Sequence, residues 1–385
     1  MTTTYHFEQG PIRPPNEARS LLLRLTRNCP WNRCLFCPVY KKRKFSLRPI
    51  DDIKQDIRAV RDILDDITVR ATALGHAGAV TDAVISDIYN DPATSDVYRS
   101  VAAWRYFGTG ACFLQDADNL VMKTEDLVAV LQYLRETLPL IQRVTTYARS
   151  RTIVRKSDAA LTRFHQAGLD RIHIGLESGC DAVLKRVQKG VSAEQHIQAG
   201  LKVKAAGMEL SEYIMPGLGG QDMWRDHARE TARVLNAINP HFIRLRSLRV
   251  PDRAPLSDLV KKGEFIPQTD DMLAEELHLL ITSLEGITSM VASDHIMNLF
   301  ETLGGRLPDD KAAMLNVIET YQQLSDHDRL IYRIGRRGGT YRSPEDLKAD
   351  SATYHKIKNL VTEITLKEGP SGLDQFITQM ADRYI

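Results

Sequence analysis

Three cysteines, Cys29, Cys34 and Cys37, fall within nine residues of a 385-residue chain that has five in all. The segment reads Arg27-Asn28-Cys29-Pro30-Trp31-Asn32-Arg33-Cys34-Leu35-Phe36-Cys37-Pro38 and follows a short apolar run. A disulfide framework takes even numbers of cysteines in a small secreted scaffold, so this crowding points to metal instead. Thiolates bind iron well, and a tight loop can offer three of them to one face of a cuboidal 4Fe–4S cluster. One iron then lacks a protein thiolate, and an open position is where a metal centre does chemistry. Other accounts of these residues stay open. Structural zinc needs a fourth ligand, which would have to come from far along the chain. An electron-transfer cluster usually takes four cysteines, with Cys112 or Cys180 as the fourth. Three unrelated buried cysteines are the plainest account.

Such a loop has to be held by regular elements. Apolar runs at residues 21–25, 111–115, 144–147, 171–176 and 241–248, and a fifth strand ending at 213–215, read as buried strands. Helical patterns lie between them at 50–64, 83–89, 124–138, 157–167, 192–206 and 223–238. Thr124 before Glu125 and Ser192 before Glu194 read as helix starts, and Gly168 and Gly207 as stops. Strands alternating with helices imply a parallel sheet, because each crossover returns the chain to the same end. The fold class expected is α/β, a partial (β/α)6 barrel with a helical C-terminal domain; a doubly wound sheet is the alternative. About 85 residues separate the first two strands, far more than one crossover needs, which implies a helical insertion near 65–107. Beyond 256, residues 271–286, 293–303 and 310–324 read as amphipathic helices, 333–339 as a Gly/Arg turn, and the chain from 344 as further helix. The expected domains are an N-terminal segment 1–19, a barrel 20–255 and a C-terminal helical domain 256–385.

The cysteine loop after the first strand resembles the hallmark of the radical S-adenosylmethionine superfamily. The commonest spacing there is C-x3-C-x2-C, and here it is one residue longer, C-x4-C-x2-C. Phe36, just before the last cysteine, matches the family's aromatic, which packs near adenine. The fourth-strand end Leu176-Glu177-Ser178-Gly179, the pair Lys189-Gly190 and the fifth-strand end Met215-Pro216-Gly217-Leu218-Gly219-Gly220 resemble the profile shared by the elongator catalytic subunit, tRNA methylthiotransferases and oxygen-independent coproporphyrinogen oxidase. The resemblance covers about residues 20–250. It implies a radical SAM enzyme in which a 4Fe–4S cluster on Cys29, Cys34 and Cys37 cleaves S-adenosylmethionine reductively. A 5′-deoxyadenosyl radical then abstracts hydrogen from a substrate.

Each strand end carries chemistry suited to that cofactor, beside a plainer account. Gln115 and Asp116 stand where the family holds the methionine amino group, and a carboxylate can accept from an ammonium; a solvated Asp/Asn turn is the plain account. Arg149 could clamp a carboxylate bidentately or simply be solvated. Glu177 matches the polar residue set against the ribose hydroxyls, or caps the next helix. Lys189 resembles the basic residue near the methionine carboxylate. Gly217 lies where the family packs adenine, and its turn lets backbone approach a flat ligand. Taken together at successive strand ends, these residues outweigh any one of them.

The substrate is less legible. Arg244 and Arg246 share one face of the sixth strand and would meet an anionic small molecule if that face is interior. Asp294 reads as an N-cap for the helix at 293–303, on which His295 and Asn298 share a face; His295 is a further substrate candidate. Cys112 reads as core and Cys180 as a weaker candidate thiol. Lys41-Lys42-Arg43-Lys44 and the arginines of 333–342 leave room for an RNA- or protein-modifying enzyme, and a non-catalytic zinc or iron–sulfur module is a third class. A net charge of +2 gives no general drive toward nucleic acid. No apolar run reaches the roughly 18 residues that span a bilayer, and residues 1–10 are polar, so a cytoplasmic, non-membrane protein is expected. A redox cluster would also need an electron donor such as flavodoxin or ferredoxin.

Overall fold

The structure is a computed structural model that describes residues 5–382. Six strands alternate with helices, as the apolar runs predict: β1 Leu21–Arg24, β2 Ala111–Gln115, β3 Arg143–Ala148, β4 Arg171–Glu177, β5 Glu209–Ile214 and β6 Phe242–Leu245. The helices up to β6 are α1 Ile50–Ala73, α2 Asp82–Asn90, α3 Asp96–Phe107, α4 Thr124–Thr137, α5 Ser150–Arg155, α6 Asp158–Gln166, α7 Asp181–Arg186, α8 Ala193–Ala205 and α9 Gly220–Ile238. This alternation, followed by a helical C-terminal region, is the expected mixed α/β class of the partial (β/α) barrel.

The chain divides into two compact units. The first holds Met1–Asn32, Val39–Ile174 and Leu201–Leu210; the second holds Arg33–Pro38, Gly175–Gly200 and Ser211–Ile385. In the first, β1 pairs with β2, β2 with β3 and β3 with β4, all parallel. Leu21, Leu23, Cys112, Leu114, Val144, Ile172 and Ile174 from these strands are buried, as parallel strands covered on both faces require. In the second, β5 pairs parallel with β6. Two strands that were not expected join it: β7 Met290–Ala292 runs parallel to β6, and β8 Gly305–Arg306 antiparallel to β7. Runs of three and two residues are too short to show a period.

Local signals explain most boundaries. At α8, the Ser192 hydroxyl accepts from the Gln195 amide (3.2 Å) while the Gln195 side chain accepts from the Ser192 amide (3.1 Å), a reciprocal capping box. Gly168 and Gly207 end their helices with φ of 103° and 86°, a backbone that side chains resist. Thr124 is not a cap: it lies inside α4, and Lys123 holds the N-cap without a side-chain cap hydrogen bond. Glu125 and Asp126 instead place negative charge in the first turn, against the helix dipole.

The C-terminal helices are α10 Leu256–Lys261, α11 Asp270–Ser283, α12 Lys311–Gln322, α13 Asp326–Arg337, α14 Asp346–Ala349 and α15 Ser351–Asp382. Two expectations fail here. Residues 293–303 form a loop rather than a helix. Met297, Leu299, Phe300 and Leu303 are buried as their spacing suggests, but Ser293 and Asn298 spend their side chains on backbone. Ser293 donates to the Phe300 carbonyl (2.5 Å), and Asn298 donates to the Leu245 carbonyl (2.8 Å) and accepts from the Ser247 amide (2.8 Å). Asp294 therefore caps nothing. The expected turn at 333–339 is mostly helix: Arg333 to Arg337 close α13, and only Gly338 and Gly339 leave it. Arg336 and Arg337 reach the carbonyls of Asn298 (2.9 Å) and Met297 (2.7 Å), so α13 pins the 293–303 loop.

Candidate active site

Cys29 stands at the tip of a small antiparallel ribbon in the first unit, where Thr26–Arg27 pairs with Ser46–Leu47. Asn28 and Asn32, on either side of it, take positive φ (67° and 47°), which asparagine tolerates better than most side chains. Asn32 donates its backbone N–H to the Cys29 sulfur at 3.4 Å. Its side chain donates to the Tyr40 carbonyl (2.6 Å), and that of Asn28 to the Lys44 carbonyl (2.7 Å).

The anchor beneath this ribbon is Asp116, which is fully buried. Its Oδ2 accepts from Arg24 Nε (2.9 Å), Arg24 Nη2 (2.6 Å) and the Asn28 amide (3.0 Å), and its Oδ1 from the Tyr40 hydroxyl (2.6 Å). Gln115 accepts from the Gly10 amide (2.8 Å) and donates to the carbonyls of Gly10 (3.1 Å) and Ile12 (2.7 Å). Both side chains expected to face a ligand are thus engaged with the chain itself. Arg149 and Arg151 lie over the Trp31 ring, 5.0 and 5.7 Å from its centroid, so the third strand end braces the cysteine loop by cation–π contact.

Cys34 and Cys37 belong to the second unit, in a turn where the Cys37 amide donates to the Cys34 carbonyl (3.4 Å). The Leu35 amide donates to the Val187 carbonyl (3.0 Å), two residues before Lys189. Phe36 packs on a cluster of Cys180, Val183, Val187 and Leu218. Lys189 Nζ lies 5.6 Å from the Phe36 ring centroid and 2.9 Å from Glu177 Oε1. Phe36, Glu177 and Lys189, far apart in sequence, are therefore one group. A Cβ at Gly175 would press on the Glu177 carboxylate and lie 3.0 Å from Lys189 Nζ, so a side chain there would displace this pair. Gly217 takes φ 92°.

Behind the glycine turn lies a buried polar chain that the sequence did not reveal. The Gly217 amide donates to Glu276 (2.9 Å), and Gln268 donates to the other Glu276 oxygen (2.5 Å). His227 bonds the Met215 carbonyl through Nε2 (3.1 Å) and Ser178 Oγ through Nδ1 (2.8 Å), the pattern of a neutral imidazole protonated on Nε2. Burial pushes His227 down to about 4 and Glu276 up to about 7. This chain braces the fourth and fifth strand ends together. Its only trace in sequence is a polar residue inside an apolar helical stripe, as with His227 among Trp224, Ala228 and Thr231. Glu212 is also fully buried; its two oxygens have no hydrogen-bond partner among the described residues, and burial raises its pKa well above the carboxylate range.

The remaining candidates are dispersed. Cys112 is core, its thiol pushed up by burial, and Cys180 lies in the apolar cluster under Phe36. Arg244 is buried and already paired, with Asp294 (3.1 Å) and Ser211 (3.2 Å), so it does not await an anion. Arg246 is exposed. Its charge, after burial, helps hold His295 down to about 4. No helix among the described residues is long and apolar enough to cross a membrane.

The donor set fits an iron–sulfur cluster. Cys29, Cys34 and Cys37 are all partly exposed, and none is in a disulfide. Among the described residues, no three His, Cys, Asp or Glu gather as they would around a single metal ion. Thiolates are the donors that an iron–sulfur cluster takes.

Comparison with known proteins adds a family. Residues 92–233 match the Radical SAM superfamily, a stretch that begins after the cysteine loop. The tRNA uridine(34) acetyltransferase of Methanocaldococcus infernus is 25% identical over 120 residues, 31% of this chain and 22% of the relative. The 4'-phospho-dehydrooxetanocin synthase of Priestia megaterium is 27% identical over 229 residues, 57% of this chain and 27% of the relative. The chain thus spans about a quarter of these relatives' lengths. Among solved structures, the cobalamin-dependent S-adenosylmethionine radical enzyme OxsB aligns over 96% of this chain and 50% of its own, at 16% identity and a TM-score of 0.39.

Proposed function

We propose that this chain, which belongs to the radical S-adenosylmethionine superfamily, binds a 4Fe–4S cluster through Cys29, Cys34 and Cys37 and acts on an anionic small molecule by hydrogen abstraction. The observation that carries the reading is the Phe36–Lys189–Glu177 group, joined to the turn of Cys34 and Cys37 by the Leu35–Val187 hydrogen bond. When bound, the cluster supplies the electron that splits the sulfonium carbon–sulfur bond, giving methionine and the 5′-deoxyadenosyl radical.

The chain's own residues bind and orient. Lys189 offers its ammonium to the methionine carboxylate, a charge-assisted bond. Glu177 accepts from the ribose hydroxyls, Phe36 offers a flat face to adenine, and Gly217 lets backbone come close to the ring. Arg149 is placed to hold Trp31, and through it the cysteine loop, before it holds any ligand. Asp116 and Gln115 serve as positioning residues: Asp116 seats Asn28 next to Cys29, and Gln115 ties β2 to the N-terminal segment. Arg246 and His295 are the substrate candidates that stay open to a ligand. The "phospho" in the name of one relative suits an anionic substrate. The relative named for tRNA favours a second reading, a tRNA-modifying enzyme.

Anaerobic reconstitution followed by assay of 5′-deoxyadenosine, with and without cell-extract metabolites, tests the proposal. Cleavage that a metabolite fraction accelerates supports it. Cleavage accelerated only by tRNA supports the second reading, and a fully iron-loaded protein that releases no 5′-deoxyadenosine defeats both.

A further inference from the structure

The basic run Lys41 to Lys44 is built into the cysteine ribbon rather than hung beside it. Residues 39–42 form a turn, closed by the Arg43 amide donating to the Tyr40 carbonyl (3.0 Å). Tyr40 points inward, 2% exposed, with its hydroxyl on Asp116. Lys42, Arg43 and Lys44 point outward and are exposed. The carbonyls of Tyr40, Arg43 and Lys44 accept from the Asn32 and Asn28 side chains, and Lys41 donates to the Asn32 carbonyl (2.9 Å). The asparagines that shape the Cys29 loop therefore also fix this turn. Glu8, which holds Arg27 of the ribbon, is spent on Arg24, Arg27 and Arg48. Among the described residues, Lys42, Arg43 and Lys44 form no ion pair. Two large apolar side chains stand exposed at the turn's flanks, Val39 (37%) and Leu47 (51%).

We infer that this turn is the docking surface for an acidic, low-potential electron-transfer protein that reduces the cluster. The inference rests on the proposed function, which requires one electron from outside for each sulfonium bond broken. Three fixed cations flanked by two apolar contacts suit a small, transient interface that is steered by charge and sealed by a little apolar surface. The position matters as much as the charge, because the surface shares its scaffold with a cluster ligand. An RNA partner would instead draw on many phosphate contacts, which one short turn on a chain of net charge +2 does not offer.

The test compares reduced flavodoxin with dithionite as reductant for the reconstituted protein and a K42E/R43E/K44E variant. These substitutions leave the backbone carbonyls and Tyr40 in place. The expected result is a loss of about tenfold or more in flavodoxin-driven cleavage and loss of its salt dependence, with dithionite-driven cleavage and the cluster absorbance unchanged. Titration calorimetry of the cluster-free protein should show weaker flavodoxin binding in the variant. Equal flavodoxin-driven rates and binding in both proteins would overturn the inference, as would loss of tRNA retention with flavodoxin coupling intact. A wild-type protein that dithionite cannot drive would instead bring down the proposed function beneath it.

Discussion

At the scale of single residues, the site depends on a few charges whose partners are visible. Lys189 pairs with Glu177 at 2.9 Å, and both are largely buried. A charge-assisted hydrogen bond contributes about 1.5–3 kcal/mol, so Lys189→Ala should weaken S-adenosylmethionine binding roughly ten- to hundredfold. Lys189→Arg should recover part of that, as read by equilibrium dialysis on cluster-loaded protein. Asp116 has a structural role, and Asp116→Asn removes the fully buried one of Arg24's two carboxylate partners, leaving Glu8 at 3.0 Å. A cost of about 1–3 kcal/mol in chemical denaturation is expected, together with lower iron uptake because Asn28 loses its seat. Glu276 makes a pH prediction. Burial raises it from an ordinary 4.5 to about 7, so between those values the folded state holds a proton that the unfolded chain has released. Its contribution is full below about pH 4.5 and is lost as pH rises through about 7. Relative to Glu276→Gln, the wild type should therefore lose roughly 3 kcal/mol of stability between pH 4.5 and 8. Parallel stability–pH curves for the two proteins would show that Glu276 does not titrate as described.

At the scale of elements, legibility followed how local the cause is. The strands were readable because parallel strands are apolar throughout, and α8 was readable because Ser192 and Gln195 form its cap within four residues. The cysteine loop was readable by spacing alone. The 293–303 segment was not, since its apolar spacing is that of a helix while Ser293 and Asn298 divert the backbone through tertiary bonds. Nor was the His227–Glu276 chain, whose members sit 49 residues apart in sequence and meet only once α9 and α11 stand behind the glycine turn. Element contacts also make sharp mutations. A Cβ at Gly179 would run into the α9 backbone at Glu230 and within 2.7 Å of Thr231 Cα. Gly179→Ala should push the fourth strand end off α9, costing about 1–3 kcal/mol, visible as a lower denaturation midpoint. Arg336, fully buried, bonds the Asn298 carbonyl and Glu301 (2.9 Å each). Arg336→Ala takes these contacts away while Glu301 keeps Arg342 (2.8 Å), and should cost about 1–3 kcal/mol for the lost bond to the buried Asn298 carbonyl while leaving the cluster absorbance intact.

At the scale of the whole molecule, three cysteines in an α/β chain otherwise ordinary in charge and composition give the account its chemistry. The elements around them do two different jobs. In the first unit, Asp116, Tyr40, Asn28, Asn32 and Trp31 hold the Cys29 loop; in the second, Phe36, Glu177, Lys189 and the glycine turn, the groups proposed to bind the ligand, gather next to Cys34 and Cys37. The most direct measurement is the yield of 5′-deoxyadenosine and methionine from S-adenosylmethionine under dithionite, for the anaerobically reconstituted wild type and for Cys34→Ala. The account predicts both products in equal amounts from the wild type. In the variant it predicts neither product and no brown cluster absorbance. Full cleavage in the variant would contradict it.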